Sequence, residues 1–193
     1  TRLVLPLWSG QALHDYPMVY NATAPNTVLY EAAVKKLLNN PENKNFIIVN
    51  CNSSDNRGKT FSHALTQELN QRSMHSKSLL LEDNDAAYEN VIDPTQENFI
   101  LLDDSSMRSL SIMMARIKDF RQKHPTYNLS LIGYTEWLNE TERHLDNFFF
   151  ANTYIASPYY YNVLDEKNKE FQRTYEKNFQ SYMTPGNPRY AAL

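Results

Sequence analysis

Short apolar runs alternate with stretches whose apolar residues recur every three or four positions, so strand and helix signals take turns along the chain. Leu3 to Leu7 is a short apolar run, predicted as a strand. Asn26 caps a helical stretch in which Leu29, Ala32, Ala33 and Leu37 share a face, and Asn39-Asn40-Pro41 ends it. Phe46-Ile47-Ile48-Val49 is a continuous run rich in β-branched residues. From Thr60 onward Phe61, Ala64, Leu65 and Leu69 repeat at helical spacing. Leu79-Leu80-Leu81 precedes a polar stretch. Phe99 to Leu102 precedes a helix carrying Leu110, Met113, Met114, Ile117 and Phe120, which Pro125 stops. Leu129 to Ile132 predicts another strand before a short acidic helix near Asn139 to Phe148. Thr153 to Ala156 then leads to a last helix with Phe171, Tyr175 and Phe179 four apart.

Strands buried on both faces and joined by crossover helices predict a mainly parallel sheet with helices on each side. The fold class is therefore α/β: a doubly wound, Rossmann-like three-layer sandwich, taken as a single domain over 1–193. In such sheets ligands sit beyond the carboxyl ends of the strands, where the winding direction reverses. The residues at those ends are Ser9, then Asn50 and Asn52, then Glu82 and Asp83, then Asp103, Asp104 and Ser105, then Tyr134, Glu136 and Trp137. The same residue types also cap helices and solvate loops, so their convergence in space has to decide between the two roles.

Composition narrows the function classes. With 193 residues, 41% hydrophobic and 21% charged, the chain can bury a core of its own. No apolar run reaches the roughly 18 residues that a membrane span needs. Nineteen basic against 22 acidic residues give a net charge of −3 with no Lys/Arg block, which argues against nucleic acid as a partner. Four glycines against 21 asparagines predict turns built on left-handed Asn and Asn caps. Cys51 is the single cysteine, so there is no internal disulfide and no thiolate metal cluster, and a reducing cytosol and a disulfide-free envelope both remain open.

Candidate chemistry is sparse. Ser53-Ser54-Asp55-Asn56-Arg57-Gly58-Lys59-Thr60 differs from the phosphate-binding G-x-x-x-x-G-K-[ST] pattern at its first position. In that reading Lys59 reaches the terminal phosphates, Thr60 holds Mg²⁺, and Asp103 or Asp104 is the second acidic site. Against it, Ser53 replaces the turning glycine and Asp55 puts a negative charge into the cradle. His14, His63, His75, His124 and His144 stand at no ligand spacing, and no cofactor or metal is expected. Cys51 beside an apolar strand reads as a small hydrophobe. Glu82 with Asp83, and Asp103 with Asp104, are adjacent pairs whose side chains diverge on a strand, which suits capping or solvation better than acid/base work. From Phe148 to Tyr161 half the residues are aromatic. The phenylalanines are expected to pack, while Tyr159, Tyr160 and Tyr161 stay open between a platform for a sugar or partner and core packing.

The order of segments resembles the second lobe of type I periplasmic-binding-protein-like domains, the family that includes branched-chain amino-acid receptors. The residues that carry it are Leu3 to Ser9, Tyr16-Pro17-Met18-Val19-Tyr20 and Ala24-Pro25-Asn26. They continue with Asn45 to Asn52 before Arg57-Gly58, Leu131-Ile132-Gly133-Tyr134, Ser157-Pro158-Tyr159-Tyr160-Tyr161, and the helix with Phe171, Tyr175 and Phe179 running to Arg189-Tyr190. In particular it is similar to divergent Bacteroidetes versions with an upstream LysM peptidoglycan-binding module, of which this sequence contains no segment.

The resemblance implies a non-catalytic lobe in a bacterial periplasm or cell envelope. It would hold an amino acid, peptide or cell-wall fragment against a first lobe that is missing here, with 182–193 leading toward that lobe and any peptidoglycan association coming from a module outside this chain. In amino-acid receptors the turn after the second strand often carries Tyr before Gly, where this chain has Arg57, and an acidic group after the third strand, where Glu82 and Asp83 stand. The ligand-binding set expected on this basis is Ser9, Asn50, Asn52, Arg57, Glu82, Asp83, Asp104, Ser105, Tyr134, Glu136, Trp137 and Tyr159. A degenerate lobe serving as a protein or cell-wall interaction module, and a phosphate-binding enzyme using Lys59 and Thr60, stand as alternatives.

Overall fold

A computed structural model describes residues 3–5, 19–21, 24–158 and 165–180. It divides into two compact units, Thr1–Pro25 with Ser157–Leu193, and Asn26–Ala156. The first contains strands β1 (Leu3–Leu5) and β2 (Val19–Asn21), paired in parallel with Leu3 opposite Val19, and helix α6 (Glu166–Phe179). Asp165 caps α6 by accepting from the N–H of Lys167, and Tyr175 lies against Phe179, with ring centroids 4.7 Å apart.

The second unit runs α1 (Asn26–Leu37), β3 (Lys44–Asn50), α2 (Asn56–Gln71), β4 (Lys77–Leu80), α3 (Asp85–Val91), β5 (Glu97–Leu102), α4 (Met107–Lys123), β6 (Asn128–Tyr134), α5 (Thr141–Phe150) and β7 (Thr153–Ala156). Short 3₁₀ turns at Pro41–Asn43 and Thr135–Glu140 interrupt it. The five strands form one parallel sheet in the order β4-β3-β5-β6-β7, with Phe46 opposite Phe99 and Leu101 opposite Ile132. The doubly wound α/β expectation is met. Central strands read as unbroken apolar runs because helices cover both faces, and Phe46, Ile47, Ile100, Leu101, Leu131 and Ile132 are all buried.

Local signals explain the helix starts. Asp55 caps α2, Asn84 caps α3 through the N–H of Ala87, and Ser106 caps α4 through the N–H of Ser109. The expected Asn turns are present: Asn40, Asn52 and Asn152 take φ of 52°, 51° and 46°. α4 buries Leu110, Met113, Ile117 and Phe120 against the sheet and ends at Lys123, just before Pro125.

Three expectations are corrected. On α1 the buried face is Tyr30 and Val34, with Leu38 just past the end, and Ala32 is exposed, because the Tyr30 ring stacks on Phe61 at 4.4 Å. The polar stretch after Leu81 contains helix α3, whose inward anchors are Tyr88 and Ile92. Of the three consecutive phenylalanines only Phe148 is buried, whereas Phe149 is 75% and Phe150 42% exposed. Adjacent helical residues point about 100° apart, so three in a row cannot share one interior.

Gly133 sits where a Cβ would meet the Trp137 ring at 2.5 Å, so the bare strand backbone makes room for that indole. No helix among the described residues is long and apolar enough to cross a membrane.

Candidate functional site

The chain leaves β3 outward to β4 and returns to β5 on the other side of β3, so the winding reverses between β3 and β5. Carboxyl ends at such a reversal splay apart, and this is where doubly wound sheets place ligands. Here the reversal is framed by the turn Cys51 to Asp55, the turn Asp103 to Ser106 and the 3₁₀ turn after β6.

Internal hydrogen bonds tie these turns together. Asp103, the residue after β5, accepts from the Cys51 N–H at 2.7 Å. Asp55 accepts from the N–H of Arg57 at 3.1 Å, of Gly58 at 3.4 Å and of Ser105 at 2.7 Å. Burial pushes the Asp55 carboxyl up, but the donors from Ser105, Arg57 and Gly58 outweigh it and hold it below the usual carboxylate range. The free N–H groups that would cradle a phosphate at the start of α2 therefore already have a carboxylate. Thr60 is likewise engaged, its hydroxyl donating to the Asn56 carbonyl at 2.6 Å. Gly58 has a packing reason of its own, since a Cβ there would lie 2.1 Å from the Asp103 carbonyl oxygen.

Asp104 is buried and accepts from the hydroxyls of Ser106 at 2.6 Å and Ser109 at 2.5 Å. Burial raises its pKa, but those hydroxyls and the Ser106 N–H lower it further, and the net position is below the ordinary carboxylate value. A depressed carboxyl contributes stability that is present above its unfolded pKa, about 3.9, and is lost as pH falls through the lower folded value. Asp104→Asn is therefore expected to lower the melting temperature at neutral pH and to lose less on further acidification than the wild type. Melting scans between about pH 5 and pH 2 check this, and parallel acid limbs would refute it.

The sequence-predicted residues fall into groups. Asn52, Glu82, Arg57 and Asn50 are exposed at the rim, with the Asn50 side chain accepting from the Asn52 N–H at 2.8 Å. Asp83 holds its own turn by accepting from the Leu80 N–H at 2.7 Å. Asp104 and Ser105 bind neighbouring backbone and hydroxyls. Tyr134 and Trp137 are fully buried: Tyr134 donates to the Leu102 carbonyl, and Trp137 donates to the Ser105 carbonyl at 2.9 Å while stacking near Phe148. Both therefore act as a floor beneath the turns, with no surface to offer a solute. Ser9 and Tyr159 lie outside the described residues.

Reasoning from sequence missed one participant and one pairing. Tyr30 of α1 lies under the rim, its hydroxyl pushed well above the ordinary phenol value by burial first and then by the charge of Glu136. Arg57 and Glu136, both expected at the site, form an ion pair that no spacing announces, being 79 residues apart. Cys51 has its thiol pushed up to about 12, chiefly by burial, which leaves it protonated and unreactive. Among the described residues no group of three or more His, Cys, Asp or Glu is placed to hold a metal ion. A small, partly open cleft of about 30 Å³ lies away from the strand carboxyl ends, between α3 and α4, lined by Tyr88, Met113 and Ile117.

The five-stranded order and its reversal define the class: an open α/β sheet with a polar rim at the strand carboxyl ends. That fold is shared with a protein of known structure. The chain overlays, at a TM-score of 0.61 and 11% identity, a crystal structure of a protein from Rhodospirillum rubrum provisionally assigned as a branched-chain amino-acid ABC transporter. The overlay covers 95% of this chain and 52% of that one, so the chain spans about half its length. A weaker overlap, at a TM-score of 0.38 and 12% identity, covers 80% of this chain and 50% of the periplasmic sugar-binding protein of an ABC sugar transporter from Legionella pneumophila. No protein-family model matches the chain, and no curated protein does.

Proposed function

We propose that the Asn26–Ala156 unit is a non-catalytic solute-binding lobe, the second half of a two-lobed clamp working outside the cytoplasm. The observation that carries this reading is the meeting of Arg57 and Glu136 at the winding reversal of a doubly wound sheet, where open α/β sheets take their ligands. The fold shared with a protein assigned to amino-acid transport supports it. Asn52, Arg57, Glu82 and Glu136 are the contact groups, Asn50, Asp83, Asp104 and Ser105 shape the rim, and Tyr134 and Trp137 support it from below. Ser9 and Tyr159 belong to the proposal through the resemblance of their segments alone. An amino acid, short peptide or cell-wall fragment is the solute class, and kinship with envelope proteins that carry a LysM module belongs to the same proposal.

A thermal-shift screen of the full-length natural protein against amino acids, short peptides, cell-wall sugars and Mg-ATP tests it, because a ligand that binds the folded state raises the melting temperature. A rise with one of the first three classes, lost in Asn52→Ala or Glu82→Ala, is the expected outcome. Silence across the panel, or a response to Mg-ATP that disappears in Lys59→Ala, would overturn it. A second reading, an interaction module for a protein or cell-wall surface, draws on Leu145, Phe149, Phe150 and Tyr154, each more than 40% exposed.

A further inference from the structure

Arg57 stands in the first turn of α2, and Glu136 in the 3₁₀ turn after β6. Because β5 lies between β3 and β6, their ion pair reaches over the carboxyl end of β5, across the reversal itself. Its two members are half-exposed, 50% for the Arg57 side chain and 36% for Glu136, so water and solute reach the pair. Neighbouring carboxylates are differently placed. Asp55, Asp103 and Asp104 take their hydrogen bonds from backbone N–H groups and hydroxyls that belong to the turns themselves. Glu136 engages Arg57 through one oxygen, while its second oxygen is buried without a hydrogen-bond partner among the described residues. A carboxylate held by one oxygen, with the other stripped of water and unpaired, is a poorly satisfied counter-ion. A guanidinium presents two parallel N–H donors and prefers a partner that meets both.

We infer that Glu136 is an internal stand-in for the carboxylate of a solute, occupying Arg57 until a small carboxylate-bearing ligand exchanges for it. This rests on the solute-binding reading and deepens it: the rim selects for a carboxylate, and the Arg57–Glu136 pair is the contact that ligand binding opens. On exchange Glu136 is released toward water, where its second oxygen regains hydration, while Arg57 gains a partner free to adopt two-point geometry. The pair thus sets a threshold that neutral solutes do not cross at this position.

The test is a titration of the ¹⁵N-labelled chain with succinate at constant ionic strength, followed at the Arg57 Nε–Hε signal and the Gly58 amide, with succinamide as the uncharged control. In Glu136→Gln, saturation is expected at roughly threefold lower succinate than in the wild type, the ratio that a half-exposed ion pair is worth. Glu136→Ala repeats the measurement with no amide left to hold Arg57, and the dispersion of the amide spectrum confirms that each variant is folded. Arg57→Gln is expected to abolish the Gly58 response, and succinamide to move neither signal. Equal saturation in the wild type and both Glu136 variants, or a succinate response that survives in Arg57→Gln, would overturn the inference. Failure here leaves the wider solute-binding reading standing, since that reading succeeds or fails separately in the melting-temperature screen.

Discussion

Gly58→Ala is expected to destabilise the Asn26–Ala156 unit by about 2 to 3 kcal/mol and to loosen the rim at the same time. A Cβ at this position would lie 2.1 Å from the Asp103 carbonyl oxygen, 2.2 Å from its carbon and 2.5 Å from the Asp104 nitrogen. All three are main-chain atoms at the end of a central strand, so no side chain can swing aside. Overpacking a rigid contact typically costs about 1 to 3 kcal/mol and occasionally more. Alanine's better helix propensity returns at most about 1 kcal/mol. Relief requires the first turn of α2 to lift off β5, which pulls Asp55 away from the Ser105 N–H and Arg57 away from Glu136. Urea unfolding measures the loss, and the amide signals of Cys51, Gly58 and Ser105 report the displacement. An unchanged urea midpoint would mean that α2 is seated farther from the sheet than described.

Trp137→Ala should cost still more, about 3 to 5 kcal/mol, as large aromatic truncations in well-packed cores do. The indole is fully buried, edge-on to Tyr134 at 5.4 Å and parallel to Phe148 at 6.5 Å, in the space that Gly133 leaves open. Its N–H also holds the Ser105 carbonyl at 2.9 Å. Trp137→Phe separates the two roles. It keeps most of the ring packing but leaves that carbonyl without its donor, for an expected loss of about 1 kcal/mol. Equal urea midpoints for the Ala and Phe variants would assign the whole effect to the hydrogen bond and contradict the packing account. A rim built on such a floor moves if the floor moves, so the alanine variant is also expected to weaken binding of whatever solute stabilises the wild type.

How much of this was legible beforehand varies with the range of the interaction involved. Period and capping are local, and they located β3, α2, β5, α4, β6 and β7 to within a few residues: Thr153 to Ala156 coincides with β7, and Phe46 to Val49 lies inside β3. α3 escaped because seven residues with only Tyr88 and the adjacent Ile92 as inward anchors make too short a pattern to register. The phase of α1 was misread because Tyr30, a polar-tipped aromatic, displaced small Ala32 from the interior once Phe61 offered it a stacking surface. Tyr134 and Trp137 looked like contact residues because both follow a strand end. What fixed them in the core was the space left by Gly133 and the carbonyls of Leu102 and Ser105, none of which a linear pattern reveals.

By itself the sequence determined the alternation of strand and helix, the parallel sheet that alternation requires, the asparagine turns and the set of strand ends at which chemistry could gather. Each follows from backbone geometry and side-chain periodicity within about a dozen residues. Tertiary structure alone decided that β3 and β5 stand side by side with β4 outside them, that Asp55 reaches Ser105 across 50 residues, and that Arg57 meets Glu136 across 79. Strand order depends on which faces bury best against which helices, a sum over contacts distant in sequence. A site assembled from several strand ends exists only after that sum has been settled.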